Sequence, residues 1–176
     1  MFFVTTMIAS IPIPKNKSIE SWNDDEVISK VKRKYESMIL EDQGVIVMII
    51  GNIEPTGTTL TENEIKNYAI KFDVLTFYPK LLEIVRGQIV EVTDFGAIVR
   101  IGPLDAILHL SQILDDYLKT DVRAGTIISN SGKSMKIGSS IRARITAVSI
   151  PTKTGGIKIG LTCRQPYLGA DEWLSK

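Results

Sequence analysis

From Val122 to Ala170 the chain carries eight cations (Arg123, Lys133, Lys136, Arg142, Arg144, Lys153, Lys158 and Arg164) and no Asp or Glu. Such a segment attracts a polyanion through phosphate contacts, and a solvated basic face kept for solubility is the alternative. Arg142 and Arg144 stand two residues apart in the alternating run Ile141–Ile150, so on one strand they share a face, a spacing that suits adjacent phosphates or stacked bases. Other chemistry is thin. His109 is the single histidine and Cys163 the single cysteine, which excludes a classical zinc centre and an internal disulfide and fits a reducing compartment. No nucleophile–base pair and no phosphate-cradling glycine loop accompanies them, so neither an enzyme, nor a cofactor, nor a metal site is expected.

The elements that must position these cations begin at Glu83–Ile113. Two alternating apolar runs, Gly87–Val92 and Ala97–Ile101, and a short third, Ala106–Leu108, are separated by the turn signals Thr93-Asp94-Phe95-Gly96 and Gly102-Pro103. Gly87 and Gly96 suit the bends of a small barrel. Ala97, Val99 and Ile101 form the core side of the second strand, which sends Ile98 and Arg100 outward. Phe95, at a strand start, either stacks on a base or caps the barrel core. His109 either faces a ligand or bonds backbone at a strand end. Leu114–Ser134 reads as a polar insertion. In the fourth strand Ile141, Ala143, Ile145 and Ala147 point inward and Arg142, Arg144 and Thr146 outward. Lys153-Thr154-Gly155-Gly156 forms a turn, and Ile157–Thr162 is the fifth strand.

The order TDFGAIVRIG…LDAILHLSQ resembles the ribosomal-protein-S-one type of RNA-binding domain, a five-stranded OB-fold variant. That resemblance implies a face that binds single-stranded RNA, with Phe95 and His109 on it. Where the resembled barrel often has a second aromatic, this chain has Ile98.

The first half reads differently. Phe2–Ile11 is a strand ended by Pro12 and Pro14. Asn23 caps a helix whose first turn holds Asp24, Asp25 and Glu26. Val27, Ile28, Val31, Tyr35, Met38 and Ile39 follow at helical spacing over about four turns, and Gly44 stops it. Trp22 is a candidate hydrophobic staple or partner anchor, and Lys30–Lys34 reads as a solvated helix face rather than a nucleic-acid patch. Val45–Ile50 is a strand covered on both faces, Gly51–Asn67 a long loop or tip, and Tyr68–Phe77 a returning strand. Net charge is −2 over residues 1–80 and +3 over 81–176. No apolar run approaches the roughly 20 residues of a membrane span, and MFFVTTMIASIPIPK lacks the basic start of a signal peptide.

The expected architecture is thus an α+β first domain, residues 1–80, of truncated RNP-like β-α-β-β order, followed by an all-β five-stranded OB-fold barrel, residues 81–176. With GPLDAILHLSQILDDY, FDVLTFYP and the closing LTCRQPYLGADEW, the whole chain resembles the E-prime subunits of archaeal RNA polymerase, the larger subunits of the polymerase stalk and counterparts of the seventh subunit of eukaryotic RNA polymerase II. The resemblance implies a non-catalytic subunit that supports initiation and elongation. It docks on the core subunits through its tip, around Gly51, Asn52, Pro55 and Gly57, and pairs with the smaller, F-type member of the stalk. The barrel holds single-stranded RNA, for which the candidate residues are Phe95, Arg100, His109, Lys136, Arg142, Arg144, Lys153 and Lys158. No membrane partner is implied; the place of action is the cytoplasm beside the nucleoid in an archaeon and the nucleus in a eukaryote. The alternative is a translation or RNA-decay factor carrying the same barrel.

Overall fold

The computed structural model describes residues 1–14, 25–62, 65–150 and 156–174. The chain divides into two compact units, Met1–Tyr78 and Pro79–Lys176. Among the described residues no helix is long and apolar enough to cross a membrane.

In the first unit β1 (Phe2–Pro14), β2 (Ile39–Leu40), β3 (Gly44–Glu62) and β4 (Ile65–Phe77) form one antiparallel sheet in the order β1-β4-β3-β2. Helix α1 (Asp25–Tyr35) lays Val27, Val31 and Tyr35 on one face of it, against Ile46, Ile49, Ile70, Phe72 and Val74. The Tyr35 hydroxyl donates to the Ser10 carbonyl at 2.7 Å, and its ring lies 5.5 Å from that of Phe72. Lys30 pairs with Glu26 one turn earlier, and Lys34 donates to the same Ser10 carbonyl, so two cations of the basic cluster are engaged within the unit.

Five expectations change here. The helix ends at Tyr35 rather than near Ile39: Ser37, at φ 68°, turns the chain, and Ile39–Leu40 becomes strand. Asn23, Asp24 and Trp22 lie outside the described residues. Gly44 starts β3 instead of stopping the helix, because the Phe77 carbonyl oxygen lies 2.1 Å from where a Cβ would stand, so only glycine lets the strands approach. β1 runs on through Pro12 and Pro14, which an edge strand tolerates because its outer side donates to no neighbour. Finally, residues 51–62 and 65–67 are strand rather than loop. Register shifts between Ile50 and Glu54 and between Pro55 and Thr59 absorb Gly51 and Gly57 as bulges, Pro55 itself pairs with Ile70, and β3 and β4 continue pairing as far as Glu62 and Ile65. A further shift between Ile46 and Met48 leaves Met48 exposed, so β3 is not covered on both faces.

The second unit contains β5 (Ile84–Thr93), β6 (Gly96–Ile101), β7 (Leu104–His109), β8 (Leu118–Asp121), β9 (Thr126–Ser129), β10 (Ser134–Lys136), β11 (Ser140–Ser149), β12 (Lys158–Thr162), β13 (Gly169–Ala170) and helix α2 (Asp171–Leu174). Neighbours run β12-β7-β6-β5-β11, and β11 pairs back with β12, which closes a five-stranded barrel. The pairing of β7 with β12, at Ile107 and Gly160, is parallel; the others in the barrel are antiparallel. Ile89, Val92, Ala97, Val99, Ile101, Ala106, Leu108, Ile141, Ala143, Ile145, Ile159 and Leu161 fill it, each at most 2% exposed. Each large aliphatic side chain among them contributes about 1.5–3 kcal/mol by leaving water, and a one-residue slip would expose a whole strand's set. Register is therefore set by the interior.

The insertion after Ile113 is ordered: β8, β9 and β10 form a separate three-stranded meander. The alternation of β11 holds through Ile145 and then breaks. A register shift between Ile145 and Ala147 turns Ala147 outward, where it is exposed. Cys163 is 3% exposed, and burial pushes its thiol up to about 12. A disulfide-exchange reagent at neutral pH should therefore label the native chain far more slowly than the urea-unfolded one, because the attacking species is the thiolate. Equal rates would mean that the thiol is open to solvent.

Candidate nucleic-acid interface

The barrel's outer face is built by pairing β6 with β7. Their register sets Ile98 opposite Ile107 and Gly96 opposite His109, and the inward Ala106 and Leu108 send Ile107 and His109 outward. Phe95, in the tight turn before β6, is 49% exposed, and its carbonyl accepts from the Leu110 N–H at 3.0 Å. The ring is thus presented to solvent rather than capping the core. His109 accepts the Ser111 N–H on Nδ1 at 3.2 Å and lies 2.9 Å from the Ser111 hydroxyl. This is the strand-end backbone bond. An accepting Nδ1 leaves the proton of the neutral ring on Nε2, so the exposed imidazole keeps a donor for a phosphate, a base carbonyl or a 2′-hydroxyl.

Beside this column runs an open groove of about 500 Å³, lined by Ile107, His109, Thr146, Lys158, Gly160 and other residues of β11 and β12. One wall is apolar, and Lys158, exposed at the start of β12, supplies a cation. Ile107, Thr146 and Gly160 were not among the RNA-binding candidates read from the sequence, although Thr146 was expected to face outward and does. An isoleucine facing outward on a strand was a readable signal for Ile107. The parallel contact of β7 with β12 and the bulge in β11 had no local signal.

The remaining candidates are scattered. Arg100 is outward, as its strand position predicts, but forks onto Asp105 across the strand pair, Nε to Oδ1 at 2.8 Å and Nη2 to Oδ2 at 2.9 Å. The hydrogen bond from Arg100, then the opposed effect of partial burial, then the attraction of its charge leave the Asp105 carboxyl below its ordinary 3.8. The pair's contribution is present above pH 3.8 and lost as pH falls through the lowered value, and it is small because the pair is exposed. Lys136 is exposed on β10, in the meander, and does not line the groove. Arg142 and Arg144 occupy the first half of β11, away from the half that lines it. Arg144 is committed to structure, Nε donating to Gln165 Oε1 at 2.7 Å and Nη1 to the Leu82 carbonyl at 2.8 Å. Arg142 makes no side-chain hydrogen bond or ion pair among the described residues. Lys153 lies outside them.

Replacing Arg144 with Ala should consequently act on stability: losing two charge-assisted bonds costs about 1–3 kcal/mol, at the low end here because Leu82 is exposed. Urea denaturation measures it; an unchanged midpoint would show that neither bond contributes in solution.

Residues 78–153 match the family model described as S1 RNA binding domain. The DNA-directed RNA polymerase subunit Rpo7 of Saccharolobus shibatae is 33% identical over 170 residues, covering 94% of this chain and 93% of that protein; the Rpo7 of Saccharolobus solfataricus gives the same values. That of Sulfolobus acidocaldarius is 33% identical over 156 residues, covering 86% and 84%. Near-complete coverage of both chains extends the likeness beyond the barrel to the first unit, and the chain belongs to the Rpo7 family of DNA-directed RNA polymerase subunits.

Proposed function

We propose that this chain is a non-catalytic stalk subunit. It docks on the polymerase core through its first unit, pairs with a small partner protein of the stalk, and holds single-stranded RNA on the barrel during initiation and elongation. The observation that carries the RNA reading is the outward column of Phe95, Ile98, Ile107 and His109 beside a groove bordered by Lys158. A base stacked on Phe95 gains about 1–3 kcal/mol without regard to its identity. His109 Nε2 and Lys158 then meet phosphate or sugar oxygens, which fix position but carry little sequence information. Binding is accordingly sequence-tolerant, as a subunit that handles every transcript requires.

For docking, the exposed bulges of β3 at Gly51, Asn52 and Gly57 offer backbone groups outside the ladder, and Pro55, paired with Ile70, stands exposed between them. The sheet face opposite α1 leaves Phe2, Val4, Ile8 and Met48 between 45% and 72% exposed, a patch that supports a protein partner there. The place of action follows the polymerase, at the nucleoid in an archaeon and in the nucleus in a eukaryote. Affinity purification of the tagged full chain from its own cells tests the reading. Recovery of core polymerase subunits with a small helical partner is expected; recovery with ribosomes or an RNA-decay complex, without polymerase, would overturn it.

A further inference from the structure

After β12 the chain turns at Gln165–Leu168 and returns along the barrel as β13 and α2. At the crest of that turn Tyr167 is 82% exposed and sits at φ 65°, the left-handed region that a bulky side chain rarely adopts. It is held there from both sides. Leu168 and Ala170 are buried, Ala170 pairs with Ile141, and Gln165 accepts from Arg144. A strained aromatic in a fixed, solvent-facing position does nothing for the core.

Tyr167 borders a second pocket, of about 430 Å³, together with Lys133, Arg164 and Trp173 over a floor that includes Leu114 and Cys163. That volume is within the range of about 300–1,000 Å³ that accommodates small ligands. The Trp173 indole packs on Gly169 and donates to the Ser134 carbonyl at 3.0 Å, and Lys133 Nζ lies 5.5 Å from its ring centroid. Asp115 also lines the pocket, but it is taken up by Arg164 Nη2 at 2.6 Å, while Arg164 Nη1 donates to the Ser111 carbonyl. Lys133 therefore stands without a carboxylate among the described residues. The pocket shares no lining residue with the groove beside His109.

We propose that this pocket is a second nucleotide site on the barrel unit, taking one unit of a single-stranded polynucleotide with its base on Tyr167 and its phosphate on Lys133. A polyanion is favoured over a docking peptide for two reasons. The rim carries an unneutralised cation inside the acid-free segment, and the aromatic stands open to a planar partner instead of lining a closed apolar slot. The site goes beyond the groove assigned above and stands on different residues.

Trp22→Phe leaves Trp173 as the one tryptophan of the chain, so its emission reports on the pocket. Titrating that full-length variant with a twelve-residue oligo-uridine RNA should quench Trp173 to saturation. Adding Tyr167→Ala should weaken the quenching titration about five-fold or more, and Tyr167→Phe should restore it. Adding Phe95→Ala, on the column beside the groove, should lower the overall affinity for RNA yet leave the quench of Trp173 at saturation unchanged in amplitude. Emission that stays constant while anisotropy of the labelled RNA shows full binding would overturn the second site and leave the groove standing. Quenching indifferent to Tyr167→Ala, or produced by polymerase subunits and not by RNA, would overturn it as well.

Discussion

Gly96→Ala is expected to lower the stability of the barrel unit by about 2–5 kcal/mol, the sum of about 1–2 for a left-handed backbone and about 1–3 for overpacking. Gly96 sits at φ 152°, and a Cβ there would stand 2.2 Å from the Leu108 carbonyl oxygen, on the strand that pairs with it. Neither partner can yield: Leu108 is fully buried, and the Gly96–His109 register aligns the outward column. At about 4–8 °C per kcal/mol for a unit of this size, the melting temperature should fall by about 8 °C or more. Gly132→Ala is the control, with φ 82° but open space around the added methyl, and should cost about 1–2 kcal/mol. Equal losses at the two sites, read by thermal denaturation, would mean that the turn before β6 relaxes freely. Phe95 would then not be rigidly aimed.

The second large effect falls on RNA. Phe95→Ala should weaken binding of single-stranded RNA by about five-fold to a hundred-fold, the equivalent of about 1–3 kcal/mol of stacking. Phe95→Tyr, which keeps the ring, should bind nearly as the parent does. Because Phe95 is half exposed, truncation should leave the fold intact. The salt dependence separates this residue from Lys158: Phe95→Ala should leave the slope unchanged, whereas Lys158→Ala should flatten it by about 0.7 for one lost phosphate contact on a single strand. A Phe95→Ala chain that binds within two-fold of the parent would place the bases elsewhere.

The parts of this molecule that were legible in the sequence are those governed by local alternation. Ala97, Val99 and Ile101 face the barrel interior and Ile98 and Arg100 face out, as a period of two requires. Bulges defeated the same logic. Ala147 follows the alternation on paper, yet one extra residue between it and Ile145 turns it to solvent. In the first unit Gly51 and Gly57 read as loop because an isolated bulge and a loop have the same composition; only the pairing of β3 with β4, Pro55 with Ile70 among it, separates them. The helix end was misplaced because Ser37 adopts the left-handed conformation that glycine usually supplies.

Charge was legible as a total and illegible in its use. The acid-free segment is real, but Arg144 is consumed by Gln165 and Leu82, and Arg164 by Asp115 and Ser111. Arg100, upstream of that segment, is neutralised by Asp105. For Arg144 and Arg164 the partners stand 21 to 62 residues away in sequence, and no spacing rule encodes them. Lys158 and His109 remain beside the groove because of a single parallel contact between β7 and β12, which only the closed barrel creates.

A transcript carrying 4-thiouridine where it leaves the enzyme, in an elongation complex reconstituted with the full chain, tests RNA binding by the barrel face most directly. Irradiation followed by peptide mapping should place the cross-link in the segments bearing Phe95, His109 or Lys158, and Phe95→Ala should reduce its yield. A cross-link confined to the first unit, or none to this chain while the transcript cross-links to the core, would contradict it.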